Sequence, residues 1–238
     1  MKPNDLQIPQ LRVQGFSVIK DRVCYLKSPS KTTTSDASTL TTSTDPFVFP
    51  DWKHQDLFGN NQPVKIEYCS GNGGWIAAKA IDEPGVNWVA VEMKRSRTRK
   101  IWAKIKNQNL ANLFVVNGEG EFATAKHFPK QSVDAIFINF PDPWPKRYHA
   151  RHRLVKPSFV KMMAELLKEN GTVTVVTDDE GYSDWTLKIF KGSPHFVSSI
   201  PTPHYTTEWA NYGNSYFETL WREQGRVIRY HHFTKIAE

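Results

Sequence analysis

The chain has 238 residues and only two cysteines, Cys24 and Cys69. Two thiols exclude a disulfide framework and a multi-cysteine zinc site. The expected setting is therefore a reducing cytoplasm, with no metal. No apolar run approaches the roughly 18 residues of a membrane span. The opening MKPNDLQIPQLRVQGF lacks the apolar stretch of a signal peptide, so no membrane partner is expected. There is no internal repeat. Also missing is the full G-x-G-x-x-G that seats a dinucleotide pyrophosphate on a helix N-terminus; Gly71-Asn72-Gly73-Gly74-Trp75 breaks it.

Hydrophobic residues make up 39% and charged residues 23%, enough for a real core. Residues 1–50 read as an N-terminal extension. Within it, twelve of the seventeen residues from Ser28 to Thr44 are Ser or Thr, too polar to offset their ordering entropy. Residues 51–238 read as the main domain. Net charge is +7, and it is clustered. Seven of the thirteen residues from Lys94 to Lys106 are basic, and Lys146, Arg147, Arg151, Arg153 and Lys156 form a second run. Two runs beside candidate chemistry point to a phosphate-binding surface rather than two solvated faces.

From Pro63 onward, β-prone runs alternate with helical periods. Strands are predicted at 64–68, 88–92, 113–116, 133–138, 172–176, 196–200 and 227–233. Helices are predicted from Trp75, over 94–107 and over 157–169. This alternation argues for an α/β fold with a mostly parallel sheet covered on both faces. Ligands of such sheets lie beyond the carboxyl ends of the strands, so the strand ends are where chemistry is sought.

The first strand end carries Glu67, Gly71 and Gly73, a turn that lets backbone approach a ligand. The second carries Glu92, nineteen residues after Gly73, where an acid accepts from the hydroxyls of an adenosine ribose. The bland alternative pairs it with Lys94 or Arg95. Glu67 repels a pyrophosphate but suits the ammonium and sulfonium of S-adenosylmethionine. Glu119 follows the third strand and suits an adenine amino group or plain solvent equally. The fourth strand delivers Asp142 between Pro141 and Pro143, which fix φ on either side, with Trp144 as a stacking face or a core filler. The fifth ends in Asp178 and Asp179, the latter a candidate helix cap.

Phe140-Pro141-Asp142-Pro143-Trp144-Pro145-Lys146 closely resembles the F-P-D-P-W-x-K motif of the TrmB-type bacterial tRNA (guanine-N7)-methyltransferases. Glu67 with Gly71 and Gly73, Glu92, and Thr177-Asp178 with Tyr182 extend the likeness over roughly 55–235. The resemblance implies a class I methyltransferase fold with a seven-stranded sheet, S-adenosylmethionine as donor, and N7 of a tRNA guanosine, position 46 of the variable loop, as acceptor. It assigns Glu67, Gly71, Gly73, Glu92, Glu119 and Asp142 to the cofactor, and catalysis to Asp142. Lys146, Asp178, Ser215 and Glu218 go to the substrate, with Arg147, Arg151 and Arg153 as phosphate contacts. Departures stand at Cys69, where the family has glycine, at Pro145, where it commonly has histidine, at Glu119, one methylene longer than the usual Asp, and at Ser215, in place of threonine. The alternatives are an RNA-binding module without catalysis and a methyltransferase for another substrate. Oligomeric state, monomer or homodimer, is left open.

Overall fold

A computed structural model of the chain describes residues 1–9, 16–27, 46–213 and 215–236. The Ser/Thr-rich stretch 28–44 lies outside the described residues. The described strands are β1 (Val18–Lys20), β2 (Val23–Tyr25), β3 (Val64–Tyr68), β4 (Asn87–Glu92), β5 (Leu113–Asn117), β6 (Val133–Asn139), β7 (Leu167–Thr177), β8 (Phe196–Ser198) and β9 (Arg229–Lys235). The helices are α1 (Gly74–Asp82), α2 (Arg95–Asn107), α3 (Gly120–Lys126), α4 (Pro157–Leu166), α5 (Glu180–Lys191) and α6 (Tyr216–Glu223).

All nine strands share one sheet, in the order β1-β2-β5-β4-β3-β6-β7-β9-β8. Strands β3 to β7 run parallel, and β9 inserts antiparallel between β7 and β8. These are the seven strands expected of a class I methyltransferase. Strands β1 and β2 were not expected from the sequence. They form a hairpin in the N-terminal fifty residues and extend the sheet beyond β5, to which β2 pairs in parallel. Val23, Cys24 and Tyr25 are completely buried.

The strand residues alternate between two cores, as the period of two requires. Ile66, Val89, Val91, Phe114 and Val116 face the side covered by α4, where Phe159, Val160 and Met163 close the layer. Trp88, Ala90, Leu113 and Val115 face α1 and α2, against Trp75, Ile76, Ile101 and Trp102. One boundary differs from expectation. Helix α4 ends at Leu166, not Glu169, and Leu167 already pairs with Val133 across from β6. The strand is irregular just beyond: Ala135 pairs with Thr172, so extra residues are taken up on β7, and among them Asn170 takes a left-handed φ of 59°. The sheet order changes direction at β3 and β6, so the carboxyl ends of these two neighbours open the crevice where a ligand belongs.

Candidate active site

Strand β3 delivers Glu67 into that crevice and then turns. Cys69, Gly71 and Gly73 all take left-handed φ values, of 60°, 56° and 70°. Gly73 is required on a second ground, because a Cβ there would lie 2.7 Å from Ile101 Cγ1. Glu67 is buried. Its Oε1 accepts a 2.8 Å bond from Asn139 Nδ2, while its Oε2 has no partner among the described residues. Burial, opposed by the Asn139 and Ser70 hydrogen bonds and assisted by the charge of Glu92, pushes its carboxyl up to about 7.

Glu92 closes the turn from the next strand. Its carboxylate accepts the Gly71 N–H at 2.9 Å and the Lys94 N–H at 2.7 Å, with Arg97 at 3.8 Å. It therefore fixes the shape of the Ser70–Gly73 turn and pairs with Arg97 rather than with the expected Lys94 or Arg95 side chains. Glu119 is exposed and sits at the N-terminal boundary of α3.

Strand β6 ends in Asn139, and the chain then enters the loop that carries Asp142. Phe140 and Trp144 adopt left-handed φ values of 48° and 43°. For aromatic residues such a backbone is strained by about 1–3 kcal/mol each, strain that concentrates at ligand-binding positions. The loop is anchored at both ends. Phe140 N–H donates to Val176 O at 2.9 Å. Arg153 donates to Pro143 O at 2.9 Å and Trp144 O at 3.2 Å, and stacks 4.8 Å above Trp185. Its guanidinium thus holds the loop from within. Tyr182 is likewise internal, its hydroxyl accepting the Val155 N–H. Asp142 itself is exposed on this fixed loop, near enough to Cys69 and Tyr182 to act on both electrostatically. Lys146 and Arg151 are exposed beside it, and Trp144 lies 5.1 Å from His152. For Arg147 the side chain lies outside the described atoms.

Strand β7 neighbours β6 and ends at Thr177; the next residue, Asp178, pairs with Arg226 at 2.6 Å. Arg226 in turn stacks 4.0 Å over Trp221. Asp179 caps α5, accepting the Tyr182 N–H at 2.6 Å. Ser215 caps α6 in the same way, accepting the Glu218 N–H at 3.1 Å. Its hydroxyl is engaged by the helix, so it sets where Glu218 points. Glu218 is buried. Its Oε1 accepts from Tyr230 at 2.5 Å and from Arg222 at 3.2 Å, and its Oε2 has no partner among the described residues.

Three residues without a clear signal in the sequence matter here: Asn139, Tyr212 and Arg226. Asn139 bridges Glu67 to the Tyr212 hydroxyl, which donates to it at 2.6 Å. Tyr212 lies 73 positions further along, and nothing in local pattern connects them.

The residues suit an adenosine-bearing cation. A buried carboxylate oxygen without a donor at Glu67, a second buried carboxylate at Glu92 and a turn of three left-handed residues form an acidic cradle beyond the switch point. A pyrophosphate would meet two carboxylates there, whereas an ammonium or sulfonium group would supply what Glu67 lacks.

Comparison with known proteins agrees with this chemistry. Residues 61–230 match the family model described as a putative methyltransferase. The chain is similar to the tRNA (guanine-N(7)-)-methyltransferase of Chlamydia felis, 37% identical over 99% of this chain and 98% of that one. It is also similar to that of Geobacter metallireducens, 30% identical over 79% of this chain and 88% of its relative. Among solved structures, the 16S rRNA methyltransferase KamB superposes with a TM-score of 0.54 at 16% identity, covering 79% of this chain and 95% of the other. The aminoglycoside resistance methyltransferase NpmB1 superposes at 0.50 and 18% identity, covering 74% and 89%. At such identities these two speak for the fold alone.

Proposed function

The chain belongs to the tRNA (guanine-N7)-methyltransferase family, and from that premise we propose that it methylates N7 of guanosine 46 in the variable loop of tRNA, with S-adenosylmethionine as donor. The observation that carries the residue-level reading is Asp142: an exposed carboxylate on a strained, doubly anchored loop, beside the cofactor turn.

When bound, S-adenosylmethionine supplies an electrophilic methyl group on a sulfonium. Glu67, through its unpartnered Oε2, and Glu92 are the residues that would hold it, the first suited to a cationic group and the second to hydroxyl donors. Guanine N7 carries a free lone pair and loses no proton on attack. The protein therefore has no need of a strong general base. Its task is alignment and charge. Asp142 orients the base and faces the positive charge that develops on the purine. Glu218 accepts from the guanine N–H donors through its unpartnered oxygen. Asp178 does the same after exchanging Arg226 for the base. Lys146 and Arg151 hold phosphates next to the splayed nucleotide. Lys94, Arg95, Lys100 and Lys104, with no acid in the first turn of α2, extend that surface.

The test is methyl transfer from labelled S-adenosylmethionine to unmodified tRNA, with the product nucleoside identified by mass. The expected product is N7-methylguanosine, absent when guanosine 46 is replaced by adenosine. Asp142→Ala is expected to lower kcat by about 10²–10³ while leaving the melting temperature unchanged. A folded Asp142→Ala protein that kept most of its activity would remove Asp142 from this role.

A further inference from the structure

Glu67 and Glu218 share an unusual condition: each is buried, and each has one carboxylate oxygen without a partner among the described residues. The oxygens that do have partners belong to a single chain of contacts. Glu67 Oε1 accepts from Asn139 Nδ2 at 2.8 Å, and Asn139 Oδ1 accepts from the Tyr212 hydroxyl at 2.6 Å. The Tyr212 ring meets Tyr230 edge to face at 5.1 Å. The Tyr230 hydroxyl then donates to Glu218 Oε1 at 2.5 Å. Side branches fix the middle of the chain. Trp75 Nε1, on the helix that follows the cofactor turn, donates to Tyr212 O at 2.9 Å. Arg222 donates to both the Tyr230 hydroxyl and Glu218.

Unsatisfied buried carboxylate oxygens are costly, and these two lie at opposite ends of one rigid network. We propose that Asn139, Tyr212 and Tyr230 are positioning residues that couple the donor site at Glu67 to the guanosine site at Glu218, so that filling one end orders the other. The inference rests on the assignment of Glu67 to the donor and Glu218 to the base. When a cation engages Glu67 Oε2, the carboxylate is held against Asn139. Asn139 then holds the Tyr212 hydroxyl, and residues 205–213 are fixed along with the start of α6. The coupling runs both ways, as linkage demands.

Tyr212→Phe keeps the ring against Trp75, Phe137, Trp209 and Tyr230 and removes only the hydroxyl. The experiment is amide hydrogen exchange over residues 205–223, with and without S-adenosylhomocysteine, together with tRNA affinity under the same two conditions. In the wild type, S-adenosylhomocysteine is expected to slow exchange in 205–223 and to tighten tRNA binding about fivefold or more. Tyr212→Phe is expected to bind S-adenosylhomocysteine but to lose both responses. Unchanged exchange in the wild type, or equal responses in wild type and variant, would overturn the coupling. If Tyr212→Phe does not fold, Asn139→Ala breaks the same link and is read the same way, and the wild-type result decides alone should both fail. A wild type that does not bind S-adenosylhomocysteine at all would instead sink the donor-site assignment, and the coupling with it.

Discussion

Replacing Glu67 by Gln separates what this residue does for stability from what it does for binding. In the free protein, burial pushes the Glu67 carboxyl up to about 7, against about 4.3 for an exposed glutamate. The folded state therefore holds this proton more tightly than the unfolded state. Below the unfolded value both states are protonated and nothing is lost. As pH rises from about 4.3 to 7 the unfolded chain releases the proton first, and the folded state loses stability by up to about 3 kcal/mol, levelling above pH 7. Glutamine imitates the protonated form at every pH. Its carbonyl accepts the Asn139 bond, and its amide takes the place of the unpartnered oxygen. Glu67→Gln is thus expected to exceed the wild type by only about 1 kcal/mol at pH 5 and by up to about 3 kcal/mol at pH 8, the latter a rise of roughly 6–12 °C in melting temperature for a chain of this size. Thermal or urea unfolding at the two pH values, without donor, reads the effect. Groups common to both proteins cancel in the difference. Parallel stability curves, or a variant less stable at pH 8, would refute the argument. The binding arm has the opposite sign. A charge-assisted bond to the donor is lost, so the Kd for S-adenosylmethionine should rise about 10- to 100-fold. Donor binding to the wild type near pH 6 should release a proton, visible in calorimetry as a heat that depends on the buffer.

Three further outcomes follow from the geometry. Cys69 adopts a φ of 60°, so Cys69→Gly relieves left-handed strain of about 1–2 kcal/mol against a gain of about 0.4–1 in unfolded-chain entropy; the melting temperature should rise by a few degrees, and a fall would show that the thiol contributes packing that outweighs the strain. Ser215→Ala removes the cap of α6 and should cost about 1 kcal/mol, raise KM for tRNA and leave S-adenosylmethionine affinity alone, whereas Ser215→Thr should restore both. The logarithm of tRNA affinity should fall linearly with the logarithm of salt concentration; Lys146→Ala with Arg151→Ala should flatten that slope by roughly 1.5, and an unchanged slope would return both side chains to plain solvent.

The strands that build the crevice were legible because β3, β4, β5, β6 and β7 are dense in Val, Ile and Phe and are separated by clear helical periods. Glu67, Glu92, Asp142 and Asp178 were legible as acids at the ends of those strands. The first hairpin was not. Its strands are three residues long, and its turn is Asp21-Arg22, both with positive φ, where the usual signal would be Asn-Gly or Asp-Gly. What holds that turn is remote: Arg22 donates to Leu57 O, Ala111 O and Leu113 O. The end of α4 differs because Asn170-Gly171 reads as a helix stop, while here it lies in the irregular stretch of β7. Arg153 reads as part of a basic surface, and charge alone does not reveal that its guanidinium also holds the Asp142 loop. Asn139 and Tyr212 gave no signal because their partner lies across the fold rather than along the chain.

The hairpin has a consequence for how the chain behaves in company. Without it, β5 would end the sheet, and β5 is the apolar run Leu113-Phe114-Val115-Val116, buried along its whole length. Such an edge offers unpaired amides and carbonyls to any other strand. Strand β2 occupies that ladder, and β1 ends it with three residues, the last of them an exposed lysine. Strands β1 and β2 therefore cover the flank at which neighbouring molecules would otherwise pair. A shortened chain that retained every catalytic group would still carry an adhesive flank, and its loss of activity on storage would come from neighbours joining at β5 rather than from damage to the crevice.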